Sequence, residues 1–135
     1  MLLQSLPGGG SESDADFTNL NNTATMAAFY NALILFFQKA GAFPGQKGVL
    51  HVEPDLWGYG HQTSADPTQV PVALAAAGAA ECASLGDHLA GFAGCLRAIA
   101  RAEAPNVLIG YHASAWGAGI DAIDNADPQA DVAGH

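Results

Sequence analysis

Basic side chains are scarce: four Lys and Arg stand against thirteen Asp and Glu in 135 residues, for a formal net charge of −9. That field repels the phosphates of nucleic acid and anionic lipid head groups, so neither nucleic acid nor a membrane surface is an expected partner. Long apolar runs are also missing. The longest, Ala32 to Phe37, is far short of the roughly 20 residues that span a bilayer. Met1-Leu2-Leu3 passes directly into Gln4 and Ser5, without the basic and apolar regions of a signal peptide, so none is expected in this chain. The two cysteines, Cys82 and Cys95, are too few for a disulfide scaffold and lack zinc-site spacing. One bridge and a pair of buried thiols fit them equally well.

Several chemistries are missing as motifs. There is no Gly-x-Ser-x-Gly elbow for a serine hydrolase. Neither Gly-Lys-Ser nor Gly-x-Gly-x-x-Gly follows from Gly8-Gly9-Gly10, which removes a phosphate loop. Asp121, Asp124 and Asp127 lack calcium-loop spacing and read as a solvated acidic tail. His51 and Glu53 offer two ligands where zinc needs three or four, with no Cys-x-x-Cys downstream. No metal and no cofactor is expected.

What is present, 50% hydrophobic and 13% charged residues, is the make-up of one folded domain over residues 1–135. Met1 to Leu6 reads as the end of a strand, followed by Gly8-Gly9-Gly10 and a polar loop with Glu12, Asp14 and Asp16. From Thr25 to Ala40, apolar residues recur at three- and four-residue steps (Met26, Phe29, Tyr30, Leu33, Phe36, Phe37), which predicts an amphipathic helix. Gly48 to Glu53 reads as a buried strand closed by Pro54. A long connection over 54–84, with a short helix over 72–80, leads to a second helix from about Leu85, with Ser84 as its N-cap. Val107 to Tyr111 forms the last strand. This alternation is that of βαβ units around a parallel sheet, whose ligands meet the carboxyl ends of the strands.

Those ends carry His51, Glu53, Asp55, Trp57 and Tyr59 in one case, and Tyr111, His112 and Trp116 in another. A carboxyl group beside apolar and aromatic walls keeps its proton to higher pH, which suits general acid catalysis. Glu53 and Asp55 are such a pair, with a turn cap and a buried pairing as the structural alternatives. Flat aromatic faces next to hydroxyl-binding carboxylates suit a sugar ring, although single aromatics more often serve packing.

In segment order the chain resembles the family six glycoside hydrolases, the inverting cellulases. Met1-Leu2-Leu3-Gln4-Ser5-Leu6-Pro7 is similar to the family strand that ends in a Leu-Pro turn, and Val49 to Asp55 to its apolar strand closed by Glu-Pro-Asp. A connection and helix bearing Cys82 and Cys95 follow, and then Pro105-Asn106-Val107 through Tyr111-His112-Ala113 and Trp116, similar to a Pro-Asn-Val strand ending in His-Ala-Gly-Trp. The resemblance implies that Asp55 is the general acid, with Glu53 supporting it and Trp57, Tyr59, His112 and Trp116 lining sugar subsites. It implies a β-glucan or related polysaccharide as substrate, no cofactor, and a secreted parent protein. Where the family has an assisting aspartate this chain has Gly10, which leaves Glu12 or Asp14 to replace it. Glu53-Pro54 also resembles the Asn-Glu-Pro of retaining glycosidase barrels, which would make Glu53 the acid/base. A non-catalytic carbohydrate-binding relative is the reading from another class.

The expected architecture is α/β, a fragment of a (β/α) TIM-type barrel with about three parallel strands and two main helices. A closed barrel needs roughly 200 residues or more, so this chain is expected to be inactive by itself.

Overall fold

The computed structural model describes residues 11–112. In chain order they form α1 (Glu12–Leu20), α2 (Thr23–Gly41), β1 (Gly48–His51), α3 (Pro54–Thr63), α4 (Leu89–Glu103) and β2 (Val107–Gly110). Three single 3₁₀ turns, Pro67–Gln69, Ala75–Ala77 and Ala80–Cys82, lie between α3 and α4. The strands pair in parallel, with Val49 opposite Leu108 and Leu50 opposite Ile109.

This overturns the expected barrel fragment. Among the described residues four helices accompany one sheet of two strands, where about three strands and two main helices were expected. The strand end read at Met1 to Leu6 lies outside the described residues. The polar stretch after it, read as a loop, is helix α1: the Ser11 hydroxyl accepts from Asp14 N–H at 3.2 Å, and Glu12 and Asp14 in the first turn complement the helix dipole. The start of the long connection is helix α3. Pro54 stands at its first position, where a missing N–H costs nothing and the fixed φ favours the helix.

Helix α2 forms as its periodicity predicts, capped by Asn22 through Thr25 N–H at 3.0 Å. Met26, Tyr30, Leu33 and Phe37 are buried along one face, whereas Phe36 is exposed. Helix α4 begins at Leu89 rather than Leu85, because Gly86 turns the chain through a left-handed φ of 77°. His88, not Ser84, is the cap, its Nδ1 accepting from Gly91 N–H at 2.9 Å. Phe92, Cys95, Leu96 and Ile99 of α4 are buried with the α2 face, with Leu56 of α3 and with Val70, Val72 and Leu74 of the connection.

Over 72–80, where a short helix was expected, the connection makes only the 3₁₀ turn Ala75–Ala77 and begins another at Ala80, and side chains fix its path. The Asp87 carboxylate accepts from Leu74 N–H at 2.9 Å and Ala75 N–H at 2.7 Å, contacts that hold its carboxyl below the usual range. A disulfide joins Cys82 to Cys95 of α4, with Cα atoms 4.9 Å apart. At the other end of the domain, the Asn106 side-chain amide donates to the carbonyls of Ala40 (3.2 Å), Phe43 (3.2 Å) and Gln46 (2.8 Å). One side chain thus ties the turn after α2 to the start of β2.

Candidate functional site

Two groups of side chains meet at α3. The first is acidic. Strand β1 ends at His51, and Val52 N–H extends the ladder to Gly110 O at 2.9 Å. The chain then delivers Glu53 and Asp55 to the start of α3. From the other side, Glu12 and Asp16 stand one turn apart on α1. Tyr59, one turn after Asp55, donates its hydroxyl to Glu12 Oε2 at 2.9 Å and so ties α3 to α1. That bond, with lesser help from desolvation and nearby negative charge, pushes the Tyr59 phenol up to about 12.

Asp16 is the most perturbed carboxyl of this group. It is fully buried, and neither carboxylate oxygen has a hydrogen-bond partner among the described residues. Burial, then the charges of Glu53, Glu12 and Asp55, raise it from 3.8 to about 6. Glu53 is only half-buried. Desolvation raises it too, followed by the charges of Asp55 and Glu12, while His51 acts in the opposite direction. In this crowd of like charges, keeping a proton on one carboxyl relieves repulsion on the others. Among the described residues, no three His, Cys, Asp or Glu side chains are placed to hold a metal ion.

The second group is aromatic. Trp57 stacks on Phe92 of α4 with ring centres 6.2 Å apart, and meets Tyr111 edge-on at 5.1 Å. Both line a pocket of about 420 Å³ between α3, the start of α4 and the end of β2, with His61 and His112 also in its wall. The Tyr111 hydroxyl is committed to Ala93 O at 2.6 Å. The rings of His51 and His112 lie 5.6 Å apart. This pair links the carboxylate end of β1 to the pocket.

The residues proposed from the sequence are therefore divided. Glu53 and Asp55 come together, joined by Glu12. Asp14, the other candidate to replace the missing aspartate, is occupied at the cap of α1, where it accepts from the Ser11 hydroxyl at 2.7 Å. Trp57 and His112 share the pocket. Tyr59 belongs with the carboxylates, because a helix of 3.6 residues per turn puts positions 55 and 59 on one side and 57, 61 and 64 on the other. Trp116 lies outside the described residues. Sequence reasoning missed Asp16. Its signal was the four-residue step from Glu12, which has meaning only once the segment is recognised as a helix.

Chemically, a half-exposed carboxyl whose hold on its proton is strengthened by burial and by nearby negative charge can donate that proton to a leaving group. No family model, no curated protein and no solved structure matches the chain.

Proposed function

We propose that the protein takes part in glycoside hydrolysis, cleaving O-glycosidic bonds of a β-glucan or related polysaccharide by carboxyl acid catalysis. The observation that supports this most is Glu53, a half-buried carboxyl raised by burial and by Asp55 and Glu12. Asp16 is raised further, yet it is sealed from solvent, so it cannot meet a substrate. Glu53 is the acid that a substrate reaches. Asp55, in the first turn of α3, is the neighbour whose charge, after burial, does most to raise Glu53. This assigns the proton donor to Glu53, whereas the resemblance to inverting cellulases assigns it to Asp55.

The division of labour is tested by reducing-sugar release from soluble β-glucans with wild type, Glu53→Gln and Asp55→Asn. Glu53→Gln is expected to lose at least about 10² in rate, the scale of a general acid. Asp55→Asn is expected to retain activity while the alkaline limb of the pH profile moves to lower pH, because the charge that keeps Glu53 protonated is gone. Loss in Asp55→Asn with full activity in Glu53→Gln would return the role to Asp55. Saturable glucan binding without turnover in wild type would refute hydrolysis and favour a carbohydrate-binding protein.

A further inference from the structure

The pocket beside Trp57 is separate from the carboxylates, and its walls specify a different kind of ligand. Its volume, about 420 Å³, falls in the range of small-molecule sites. Aliphatic side chains make much of the wall: Ala65, Pro67, Leu89, Ala90 and Ala93. Trp57 and Tyr111 meet at an interplanar angle of 80°, so they form a corner into which a flat ring packs against one face and one edge.

The polar side chains in the wall are few. The Tyr111 hydroxyl serves Ala93 O, the Ser64 hydroxyl accepts from Asp66 N–H at 3.1 Å, and the Trp57 indole N–H has no partner among the described residues but is buried out of a ligand's reach. His61 and His112 bring two imidazoles to the lining beside the Tyr111 phenol, and among the described residues no carboxylate borders it. A sugar ring, with a hydroxyl on nearly every carbon, would lose more hydrogen bonds to water here than it regained. A planar ring with a single hydroxyl would not.

The walls are also fixed before any ligand arrives. A Cβ at Gly60 would strike Leu89 Cδ2, so the glycine lets the first residue of α4 close against α3. The start of α4 is held by Leu89 N–H to Val70 O at 2.9 Å, and the disulfide at Cys95 anchors the same helix two residues after Ala93. Prior ordering of this kind lowers the entropic cost of binding.

From the apolar corner, the two imidazoles and the missing carboxylates, we infer that this pocket binds a monocyclic phenol-type ligand: the ring in the Trp57–Tyr111 corner, its hydroxyl facing an imidazole. The inference does not depend on hydrolysis at Glu53.

It is tested by titrating the protein with p-cresol and following backbone amide shifts, with cyclohexanol and glucose as probes of similar size. Expected is saturable binding with a Kd of about 1 mM or tighter, with shifts centred on Gly60, Ala90 and Ala93. Cyclohexanol should bind at least about fivefold more weakly, since it cannot use the aromatic corner. Ala93→Leu, which fills the space, should weaken p-cresol at least about tenfold. His61→Ala, a change on the pocket rim with little effect on the core, should weaken it about threefold or more. The inference fails if p-cresol does not saturate by about 10 mM, if both variants bind it as wild type does, or if glucose binds as tightly.

Discussion

Replacing Asp16 by Asn removes a buried charge while keeping its shape, and the consequence depends on pH in a way the structure specifies. In the folded protein the carboxyl titrates near 6, against 3.8 for an unperturbed side chain. The folded state therefore holds this proton more tightly than the unfolded state. Below the unfolded value both states are protonated, and the advantage of the neutral form is fully present. It is lost as pH rises through the folded value, because the native state must then either ionise a buried carboxylate or bind a proton against the solution. A shift of about two units, at 1.36 kcal/mol each, gives about 3 kcal/mol. Asn cannot ionise. Asp16→Asn should thus match wild type within about 0.5 kcal/mol at pH 3 and exceed it by about 2–3 kcal/mol at pH 8. Urea unfolding with the disulfide intact, at pH 3, 5 and 8, measures this. Every other carboxylate is common to both proteins, so the difference between them isolates position 16. A pH-independent difference, or a variant less stable than wild type at pH 8, would show that burial does not hold a proton on Asp16.

Two other substitutions examine the frame around the site. Cys82→Ser with Cys95→Ser opens a link between residues 13 apart in sequence, and loop-closure entropy sets its loss at about 3 kcal/mol, read as a fall in calorimetric Tm that reductant reproduces in wild type. An unchanged Tm would mean that the bridge is not formed in solution. Asn106→Asp puts an acceptor where an amide now donates to three carbonyls; a loss of about 3 kcal/mol in urea is expected, and a loss under about 1 kcal/mol would deny that residue its tying role.

The parts of this fold that could be read from the sequence are those with an unmixed apolar period. Met26, Tyr30, Leu33 and Phe37 mark α2, and Phe92, Leu96 and Ile99 mark α4, because each set buries one helical face. The short strands were recognisable from their apolar runs between breakers. Helix α1 was hidden because its buried face includes Asp16 and Asn19 as well as Leu20, so polarity concealed the period. Helix α3 was hidden because Pro54 looked like the stop of a strand when it is the start of a helix. From that error came the grouping of Tyr59 with Trp57, which the helix sends to opposite sides. The barrel was extrapolated from strand–helix alternation, which the single parallel pair of the described residues already satisfies, and the strand read at Met1 to Leu6 lies outside those residues. Glu53 and Asp55 were visible as strand-end acids. Their setting was not, since it depends on α1, a helix contributed from more than thirty residues earlier in the chain.

The parallel pairing of β1 with β2 joins Val49 to Leu108 across a whole intervening helical layer. Contacts so distant along the chain are entropically late, because the intervening loop must close before any ladder hydrogen bond rewards it. Packing of α2 on α4 is equally distant, as in Tyr30 against Phe92, but it is buried in the core, whereas the ladder has only four residues in each strand and few hydrogen bonds to hold it shut. Glu53 and His112 both follow directly from that ladder. The Glu53 carboxyl and the pocket wall at His112 therefore both keep their places only while the same short ladder stays paired.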